Sequence, residues 1–456
     1  MTVKSLRIHT IETPSLGDRS YLVHDGEVAV VVDPQRDIDR VLDLASSEGV
    51  RITHVFETHI HNDYVTGGLA LARETGAAYH VNADDDVTYD RTPIRAGDAV
   101  PVGDRMVVRA IPTPGHTFTH LSYALEQDDE TIAVFTGGSL LYGATGRPDL
   151  LGPDHTGELV RLQYSSAQRL ADELPDSADV FPTHGFGSFC SAGPAGQASE
   201  STIGQEKRIN PALTESEERY VRDILDGLDV YPTYYAHMAP ANAAGPDAPD
   251  LAFPERADAE VLRKRIEAGE WVVDLRNRTA FAAGHAPGTY NFEVDRQLST
   301  YVGWMMEWGT PLTLLGESEE QVARAQRELV RIGIDRLEGA ATGEPESWTT
   351  GPLGTFPRAT FAELTDARHH RPLVVLDVRR ASEFEESRIE GALNIPIHEL
   401  PGRVGDVPEG QVWVHCASGY RASMAASFVA AAGREVVLVD DDFDNAESAG
   451  LALVKQ

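Results

Sequence analysis

The chain has 456 residues, of which 41% are hydrophobic and 24% are charged, an ordinary composition for a folded globular protein. At about 150 residues per domain, this length predicts roughly three domains. The 72 acidic and 39 basic residues give a formal net charge of −33, so the surface should repel nucleic-acid phosphates. No segment approaches the ~20 apolar residues of a membrane helix. We therefore expect neither a nucleic-acid partner nor a membrane location.

The first half of the chain alternates short apolar runs with polar turns and helical patterns. This alternation predicts an α/β domain built in layers. The predicted strands cover residues 29–32, 52–57, 107–111 and 131–135, and the predicted helices cover residues 38–48, 159–170 and 215–228.

Histidines stand in three turns of this region. His59 and His61 are two residues apart directly after a predicted strand, so both can point into one site if the loop curls. His116 lies in a second turn, Thr-Pro-Gly-His-Thr, and His184 lies in a third, Pro-Thr-His-Gly. Imidazole is a good ligand for iron and zinc, so these turns predict a metal centre.

After a segment rich in Pro, Ala and Gly, which predicts a linker, the sequence repeats itself. Residues 272–276 (VVDLR) recur as residues 375–379 (VLDVR), an offset of 103 residues that also aligns later Phe, Gly and Asn pairs. A fixed offset predicts a duplicated domain, here a small parallel α/β unit. The predicted boundaries are 1–240 for the first domain, 241–254 for the linker, and 255–350 and 355–456 for the two copies.

Cys416 follows a predicted strand at residues 411–415 and precedes an Ala-rich predicted helix at residues 422–432. The free N–H groups and the dipole at a helix N-terminus stabilise an anion, which favours the nucleophilic thiolate of a cysteine placed there. Gly419 allows the loop to curl, and Arg421 can bring a guanidinium to a bound oxyanion. This arrangement predicts a reactive cysteine, and an inert packed thiol is the alternative.

The loop from Cys416 to Arg421 resembles the active loop of rhodaneses, the sulfurtransferases that carry sulfur as a cysteine persulfide. The resemblance covers residues 355–456 and implies that Cys416 and Arg421 are catalytic. It implies that the substrate is bound by the residues between them, Ala417, Ser418, Gly419 and Tyr420. In the first copy, Gly316 falls at the cysteine position and acidic residues follow it, so residues 255–350 should form an inactive rhodanese-like domain.

The ordered histidine turns resemble the metallo-β-lactamase superfamily over residues 5–240, which implies an αββα sandwich. With two rhodanese-like domains behind it, the chain resembles bacterial persulfide dioxygenase–rhodanese fusions. Two positions depart from the superfamily pattern. Tyr64 replaces a histidine that serves a second metal, and Gly138 replaces an aspartate ligand.

The resemblance therefore implies a single divalent metal, Fe(II) as in persulfide dioxygenases, with Zn²⁺ as the alternative. Its expected ligands are His59, His61 and His116. His184 and Asp63 are expected to support these ligands through hydrogen bonds. Because glycine has no ligating side chain, we expect Gly138→Asp to restore a carboxylate and to strengthen iron binding.

Together, these features predict a cytoplasmic enzyme of sulfur metabolism that carries persulfide sulfur on Cys416. The two cysteines, Cys190 and Cys416, are too few for a disulfide framework, and residues 1–10 lack an apolar signal-peptide core. The expected partners are a small persulfide or thiosulfate and acceptor thiols. We expect a homodimer, because symmetric dimers are the commonest oligomers.

Two other functions stay open for the first domain. It could be a thioester hydrolase similar to glyoxalase II, which needs a dinuclear site that Tyr64 argues against. It could also be a non-catalytic scaffold that presents the rhodanese. Cys190, which follows His184 closely in sequence, could hold sulfur near the metal or could simply be packed.

Overall fold

A computed structural model describes residues 6–193, 198–294 and 296–455. The chain divides into two compact units. The first reaches Pro249 and adds Val330–Gly333, and the second contains the rest of the chain from Asp250 onwards. Over the described ranges, no helix combines the length and the apolar character that crossing a bilayer requires.

The first unit contains two β-sheets. The strands of the first sheet are β1 (Arg7–Thr13), β2 (Asp18–His24), β3 (Val28–Val32), β4 (Arg51–Phe56), β5 (Ala78–Asn82) and β6 (Thr92–Ile94). They lie in this order, antiparallel from β1 to β3 and parallel from β3 to β6. The strands of the second sheet are β7 (Ala99–Val102), β8 (Met106–Pro112), β9 (Leu121–Gln127), β10 (Glu130–Gly137) and β11 (Asp179–Pro182). The order is β11-β10-β9-β8-β7, and the β10–β11 pair is parallel.

Helices cover the outer face of each sheet, so the predicted αββα sandwich is observed. The helices are α1 (Asp39–Glu48), α2 (Gly68–Thr75), α3 (Pro153–Glu173), α4 (Ile203–Ile209), α5 (Pro211–Thr214), α6 (Glu217–Gly227) and α7 (Tyr235–Ala244). All five residues of β3 are buried because its two faces are both covered. Val30 packs between the sheets with Phe135, whereas Val31 packs on the helix side with Val41.

The second unit contains two parallel sheets. The first has the order β13-β12-β14-β15, and the second has the order β16-β21-β20-β17-β19. The elements up to residue 350 are α8 (Ala259–Glu267), β12 (Trp271–Asp274), α9 (Arg278–Ala283), β13 (Tyr290–Asn291), α10 (Leu298–Met305), β14 (Leu312–Gly316), α11 (Glu319–Arg331), β15 (Gly339–Thr342) and a 3₁₀ turn, Pro345–Ser347.

The following elements form the C-terminal part of this unit. They are β16 (Arg358–Ala359), α12 (Phe361–His370), β17 (Val374–Asp377), α13 (Ala381–Glu386), β18 (Ser387–Ile389), β19 (Leu393–Asn394), α14 (Leu400–Arg403), a 3₁₀ turn (Val404–Asp406), β20 (Val412–His415), α15 (Tyr420–Ala431), β21 (Val436–Val439), α16 (Asn445–Ser448) and β22 (Leu453–Lys455). Strands β18 and β22 form a separate antiparallel pair.

The sequence repeat corresponds to a repeated local structure. Arg276 donates from Nε to Oδ1 of Asp274 over 3.0 Å, and Arg379 makes the same bond to Asp377 over 3.0 Å. Each aspartate is the last residue of its strand and is fully buried. The ion pair therefore fixes the turn by which the chain leaves the carboxyl edge of each parallel sheet.

Helix α7 extends into residues 241–254, where composition predicted a linker. Asn242 is buried, and its side-chain amide donates to the main-chain oxygens of His61 and Tyr64 over 2.9 and 2.8 Å. The helix then ends at Gly245, which has a left-handed φ of 81°. The first residues of this segment thus support the histidine loop, and the domain boundaries given above stay predictions.

Candidate metal centre and cysteine loop

His59 and His61 lie in the loop that leaves β4 at the carboxyl edge of the first sheet. Asp33 directly follows the neighbouring parallel strand β3 and accepts hydrogen bonds from the main-chain N–H and the hydroxyl of Thr58 over 2.7 and 2.8 Å. Asp33 has a φ of 49°, which non-glycine residues rarely adopt, and the bonds from Thr58 stabilise this conformation. The parallel pairing of β3 and β4 therefore holds the histidine loop beside a fixed carboxylate.

Four histidines converge in the interior of the first unit, each at most 1% exposed. The ring centroid of His59 lies 4.1 Å from that of His61 and 4.8 Å from that of His116. His184, from the turn after β11, has its ring centroid 5.4 Å from that of His59. One ring nitrogen each of His59, His116 and His184 lies within 4.8 Å of the other two. The three predicted ligands therefore come together, and His184, which was predicted only to support them, comes equally close.

Hydrogen bonds orient His59 and His116 from behind. Nδ1 of His116 donates to the main-chain oxygen of Arg147 over 2.8 Å, and Nδ1 of His59 lies 2.9 Å from Oγ1 of Thr58. Burial, together with the neighbouring His184, lowers the pKa of His116 to about 3. His116 is therefore a neutral imidazole, the form that binds metals.

His61 is held by two carboxylates and a phenol. Its Nε2 lies 3.3 Å from Oδ1 of Asp33, 3.3 Å from Oε2 of Glu57 and 2.9 Å from the hydroxyl of Tyr64. Burial alone would lower the pKa of His61, but Asp33 and Glu57 outweigh it and raise that pKa to about 9. The two carboxylates and the phenol therefore hold the imidazole of His61 through its Nε2. Tyr64, which replaces a metal-binding histidine, here supports His61.

His184 is paired with two buried carboxylates. Its Nδ1 lies 2.9 Å from Oδ1 of Asp18 and 3.1 Å from Oδ2 of Asp63, and its Nε2 lies 3.4 Å from Nε2 of His59. Burial alone would raise the pKa of Asp63, but the charge of His184 holds it below its usual value. Asp63 therefore pairs with His184, which is not one of the three predicted ligands, and its supporting role for those ligands stays a prediction.

The donor set fits a divalent metal ion. Nδ1 of His61 and Nε2 of His116 are buried, and neither has a hydrogen-bond partner among the described residues. Buried polar atoms are normally paired, and metal-binding histidines normally have their outer nitrogen held by a carboxylate or a carbonyl. Both conditions favour an ion in this cluster, where one ring nitrogen each of His59, His116 and His184 lies within 4.8 Å of the other two. The residues that would hold it are His59, His61, His116 and His184. His61 and His184 are kept protonated by the neighbouring carboxylates and would each release a proton when the ion binds.

Gly138 does not leave room for the missing aspartate. A Cβ atom added at Gly138 would lie 2.6 Å from Cγ of His116 and closer still to Cδ2. Its main-chain N–H donates to Nε2 of His120 over 3.0 Å, and Nδ1 of His120 lies 2.9 Å from Oγ1 of Thr113. The packing therefore argues against the expectation that Gly138→Asp strengthens iron binding, because the imidazole of a predicted ligand fills that space.

His120 is a residue of the cluster that the sequence reasoning missed. Its ring stacks on that of His59 with a centroid separation of 4.9 Å, and it is 1% exposed. The available signal was its position four residues after His116 in the same turn. Its Nε2 accepts from a main-chain N–H, so it serves as a support for the loop and not as a ligand.

Cys190 is fully buried near the carboxylates of this cluster. Burial, reinforced by Asp63 and Asp18, raises the pKa of its thiol well above the ordinary value. The main-chain oxygen of Cys190 accepts from the N–H of Arg147 over 2.8 Å, so its backbone supports the segment that orients His116. These features favour the packed thiol over a sulfur carrier.

Cys416 lies between the end of β20 and the start of α15 and is 2% exposed. Gly419 has a left-handed φ of 87°, and a Cβ atom there would collide with Oδ1 of Asp440. The main-chain oxygen of Ala417 accepts from the N–H of Phe443 over 2.8 Å. The loop is thus curled at the position where the sequence predicts it and is held by residues that follow β21.

Arg421 is engaged differently from the prediction. Its Nη1 and Nη2 donate to the two carboxylate oxygens of Glu383 over 2.6 and 2.8 Å. Burial would raise the pKa of Glu383, but the pair with Arg421 lowers it to about 2. The guanidinium of Arg421 therefore neutralises the charge of a carboxylate in α13. No sequence signal connected these residues, which lie 38 positions apart.

The position equivalent to Cys416 in the first copy is Gly316, at the end of β14. The N–H of Glu317 donates to the side-chain oxygen of Gln321 over 2.7 Å. This main-chain donor at the start of the helix is therefore already paired within the segment. A Cβ atom at Gly316 would lie 3.0 Å from this oxygen. The loop in residues 255–350 therefore offers neither a sulfur nucleophile nor an open anion site.

Comparison with known proteins identifies two of these regions. Residues 18–184 match the family model of the metallo-beta-lactamase superfamily, and residues 360–449 match that of the rhodanese-like domain. The metallo-beta-lactamase from Staphylococcus aureus subsp. aureus COL has a similar structure. Its TM-score is 0.66 at 26% sequence identity, over 75% of this chain and 99% of that one. The predicted fold class is confirmed.

Among curated proteins, the mitochondrial persulfide dioxygenase ETHE1 of Bos taurus is 29% identical over 232 residues, 49% of this chain and 82% of that protein. A hydroxyacylglutathione hydrolase of Polaromonas sp. is 32% identical over 161 residues, 35% of this chain and 57% of that protein. A hydroxyacylglutathione hydrolase-like protein of Mus musculus is matched over 50% of its length. The chain thus spans about half the length of these proteins.

Proposed function

We propose that this chain, in which a metallo-β-lactamase superfamily domain precedes a C-terminal rhodanese-like domain, is a sulfurtransferase that carries persulfide sulfur on Cys416. The observation that carries the proposal is the position of Cys416 in a curled loop between β20 and α15. The first N–H groups of a helix have no helical acceptor and stabilise an anion at this place. A thiolate and the persulfide that replaces it are both such anions.

In the proposed reaction, the Cys416 thiolate attacks the outer sulfur of thiosulfate or of a small persulfide. A sulfur–sulfur bond forms to the cysteine while the donor's sulfur–sulfur bond breaks, and sulfite or a thiolate leaves with the bonding electron pair. An acceptor thiolate then takes the outer sulfur and regenerates the Cys416 thiolate. The negative charge lies on the cysteine sulfur before the exchange and on the outer persulfide sulfur after it. The same loop can therefore stabilise both states.

We also propose that the histidine cluster holds one divalent metal, Fe(II) with Zn²⁺ as the alternative, and that this domain acts on persulfides. The supporting observations are the unpaired nitrogens of His61 and His116 and the similarity to persulfide dioxygenase ETHE1. When bound, such an ion supplies Lewis acidity and, in the case of iron, open positions for oxygen. Asp33 and Glu57 orient His61, and Asp63 orients His184.

A thioester hydrolase is the second candidate for this domain, because hydroxyacylglutathione hydrolases are also similar to it. That chemistry uses two metals. Tyr64 places a phenol beside His61 where a second-metal ligand would stand, and Gly138 has no room for a carboxylate. Both positions favour a single ion. A scaffold without metal would leave the buried nitrogens unpaired.

The sulfurtransferase is tested by comparing Cys416→Ser with the matched variant Cys190→Ser. We expect Cys416→Ser to abolish transfer from thiosulfate to glutathione, and Cys190→Ser to retain it. Mass analysis after treatment with thiosulfate should find the added sulfur on Cys416. Unchanged transfer in Cys416→Ser would exclude the proposed carrier.

The metal proposal is tested by metal analysis of protein expressed anaerobically with excess iron. We expect one divalent ion per chain in the parent and a strong loss of it in His116→Ala. Two ions per chain would support the hydrolase, and none would support the scaffold.

A further inference from the structure

Helix α10 belongs to the copy that has no cysteine, and all eight of its residues are buried. Tyr301, near its middle, is 7% exposed, and its ring packs edge-on against the ring of Tyr420 with a centroid separation of 5.7 Å. Tyr420 is the first residue of α15 and lies four positions after Cys416. Tyr301 therefore reaches from residues 255–350 to the loop that carries the reactive cysteine.

Hydrogen bonds between β13 and α15 fix the position of α15 against the first copy. The hydroxyl of Ser423 donates to Oδ1 of Asn291 over 2.6 Å, and the N–H of Asn291 donates to Oγ of Ser427 over 3.0 Å. Asn291 ends β13 and is 1% exposed. These bonds set the position of α15, and of the loop before it, against the sheet of the first copy.

A second contact supports the loop from the side of β21. Arg278 at the start of α9 donates from Nε to Oδ1 of Asp440 over 2.7 Å. The same oxygen is the atom with which a Cβ at Gly419 would collide, so Asp440 lies directly against the curl of the loop. The first copy thus holds the cysteine loop at two points, through Asn291 and through Arg278.

The surroundings of the Tyr301 hydroxyl are charged. The groups that act on it are Arg421, Cys416, Glu383 and Arg380. Burial raises the pKa of Tyr301, and the opposing effect of Arg421 does not reverse this. The phenol therefore keeps its proton at neutral pH and is available as a hydrogen-bond donor.

The cation expected to stabilise the sulfur is largely committed to another partner. Arg421 makes two hydrogen bonds to Glu383, and Arg380 adds a third contact to the same carboxylate over 3.2 Å. A neutral donor that approaches from the opposite element would complete the stabilisation of a sulfur anion. Tyr301 is a buried donor on α10, and its ring contacts Tyr420 of the cysteine loop.

We propose that the Tyr301 hydroxyl donates a hydrogen bond to the sulfur anion on Cys416, first to the thiolate and then to the outer sulfur of the persulfide. The inference rests on the proposed sulfurtransferase function and goes beyond it, because it gives the cysteine-free copy a residue at the reaction site. Tyr301 keeps its proton throughout. The sulfur–sulfur exchange is the one written above, with sulfite or a thiolate as the leaving group, and it requires no additional oxidant or reductant.

The test removes the hydroxyl and keeps the ring, with Tyr301→Phe in the full chain. The matched control is Tyr290→Phe, because Tyr290 is also in the first copy and stacks on Phe428 of α15 at 4.2 Å, towards the far end of that helix. We expect Tyr301→Phe to reduce transfer from thiosulfate to glutathione about tenfold, the usual effect of one hydrogen bond to a charged group. Tyr290→Phe should leave it unchanged.

The second readout is the pH profile of Cys416 alkylation by iodoacetamide, followed at this residue by mass spectrometry. A merely structural role of Tyr301 would not change this profile. Loss of the donor should move the midpoint of this profile up by about one pH unit. Replacement of Tyr301 by 3-fluorotyrosine, which has nearly the same size, is a stronger donor and still keeps its proton at neutral pH in a buried site, should move it down. This second variant decides the question even if Tyr301→Phe folds poorly.

The possible outcomes separate the two proposals. If Cys416→Ser remains active, the sulfurtransferase function is wrong. If Cys416→Ser is inactive but Tyr301→Phe keeps the parental transfer rate and alkylation profile, only the role of Tyr301 is overturned. The same holds if the 3-fluorotyrosine variant shows the parental midpoint. Shifts of the midpoint in opposite directions would support the hydrogen bond.

Discussion

Position 138 shows how one side chain determines what a neighbouring position can accommodate. The superfamily pattern has an aspartate there, and its replacement by glycine suggests an empty ligand position. In the structure, the ring of His116 fills the space beside Gly138, and the bond from its Nδ1 to Arg147 holds it there. Position 138 therefore lacks a ligand side chain, and the packing of His116 also favours glycine there.

We predict that Gly138→Asp destabilises the first unit by about 1–3 kcal/mol, the usual effect of overpacking a buried site. Metal content should fall, because the added Cβ displaces a ligand histidine. Urea unfolding and metal analysis would check both expectations. The control is Gly157→Asp, at an exposed position where an added Cβ meets no atom within 4 Å. Iron retention above that of the parent would contradict the prediction.

Glu383 gives a second prediction at the same scale. Its pKa is lowered from 4.5 to about 2 by Arg421, so the pair stabilises the fold above pH 4.5 and loses that effect as the pH falls towards 2. The difference corresponds to roughly 3 kcal/mol. Unfolding measured from pH 6 to pH 3 should show this loss in the parent. Glu383→Gln should be less stable at pH 6 and should vary less with pH.

The control for this measurement is Glu385→Gln, because Glu385 is an exposed carboxylate on the same helix. It should keep the parental pH dependence. If Glu383→Gln and the parent lose stability in parallel between pH 6 and pH 3, the pair with Arg421 does not contribute as described.

At the scale of elements, α15 carries a left-handed glycine at each end. Gly419 precedes the helix with a φ of 87°, and Gly433 follows it with a φ of 74°. An added Cβ would collide with Asp440 at the first position and meets no atom within 4 Å at the second. A non-glycine residue would therefore strain the backbone at both ends of α15. Only at position 419 would it also press on Asp440 and disturb the cysteine loop.

We predict that Gly419→Ala and Gly433→Ala each cost about 1–2 kcal/mol, because both force a non-glycine residue into the left-handed region. Only Gly419→Ala should also reduce sulfur transfer strongly, since the loop must move away from Asp440. Thermal unfolding and the thiosulfate assay would separate the two effects. Equal loss of transfer in both variants would show that the loop geometry is not the cause.

At the scale of the whole molecule, the two copies, apart from Val330–Gly333, lie in a single compact unit. Trp271 and Tyr290 of the first copy pack against Phe428 of the second, with ring centroids 5.4 and 4.2 Å apart. The predicted boundaries place residues 355–456 in a domain of their own, which would allow them to be removed while residues 1–350 stay soluble. The shared aromatic packing makes that separation unfavourable.

We predict that deletion of residues 355–456 abolishes sulfur transfer and also exposes the aromatic face of the first copy. The fragment should bind a hydrophobic dye and should aggregate more readily than the full chain. Dye fluorescence and size-exclusion chromatography would measure this. The control is the full-length Cys416→Ser variant, which should lose transfer while its dye binding and elution stay as in the parent. A fragment that behaves like the parent would contradict the prediction.

Much of this protein could be predicted from local sequence patterns. Apolar runs such as residues 29–32 specify strands, the fixed offset of 103 residues specifies a repeated unit, and Gly419 beside Cys416 specifies a curled loop. Each signal depends on residues that are close in sequence, because backbone periodicity and turn chemistry are local. The histidine turns were found for the same reason.

Tertiary structure decided which of those residues act on one another. The entry of His184 into the cluster, the pairing of Arg421 with Glu383 and the reach of Tyr301 to the cysteine loop all join distant parts of the chain. Sequence spacing cannot specify such contacts, because they depend on how strands are ordered and how helices pack on the sheets. The chemistry of single residues was therefore readable from the sequence, whereas their partners were fixed only when the layers packed together.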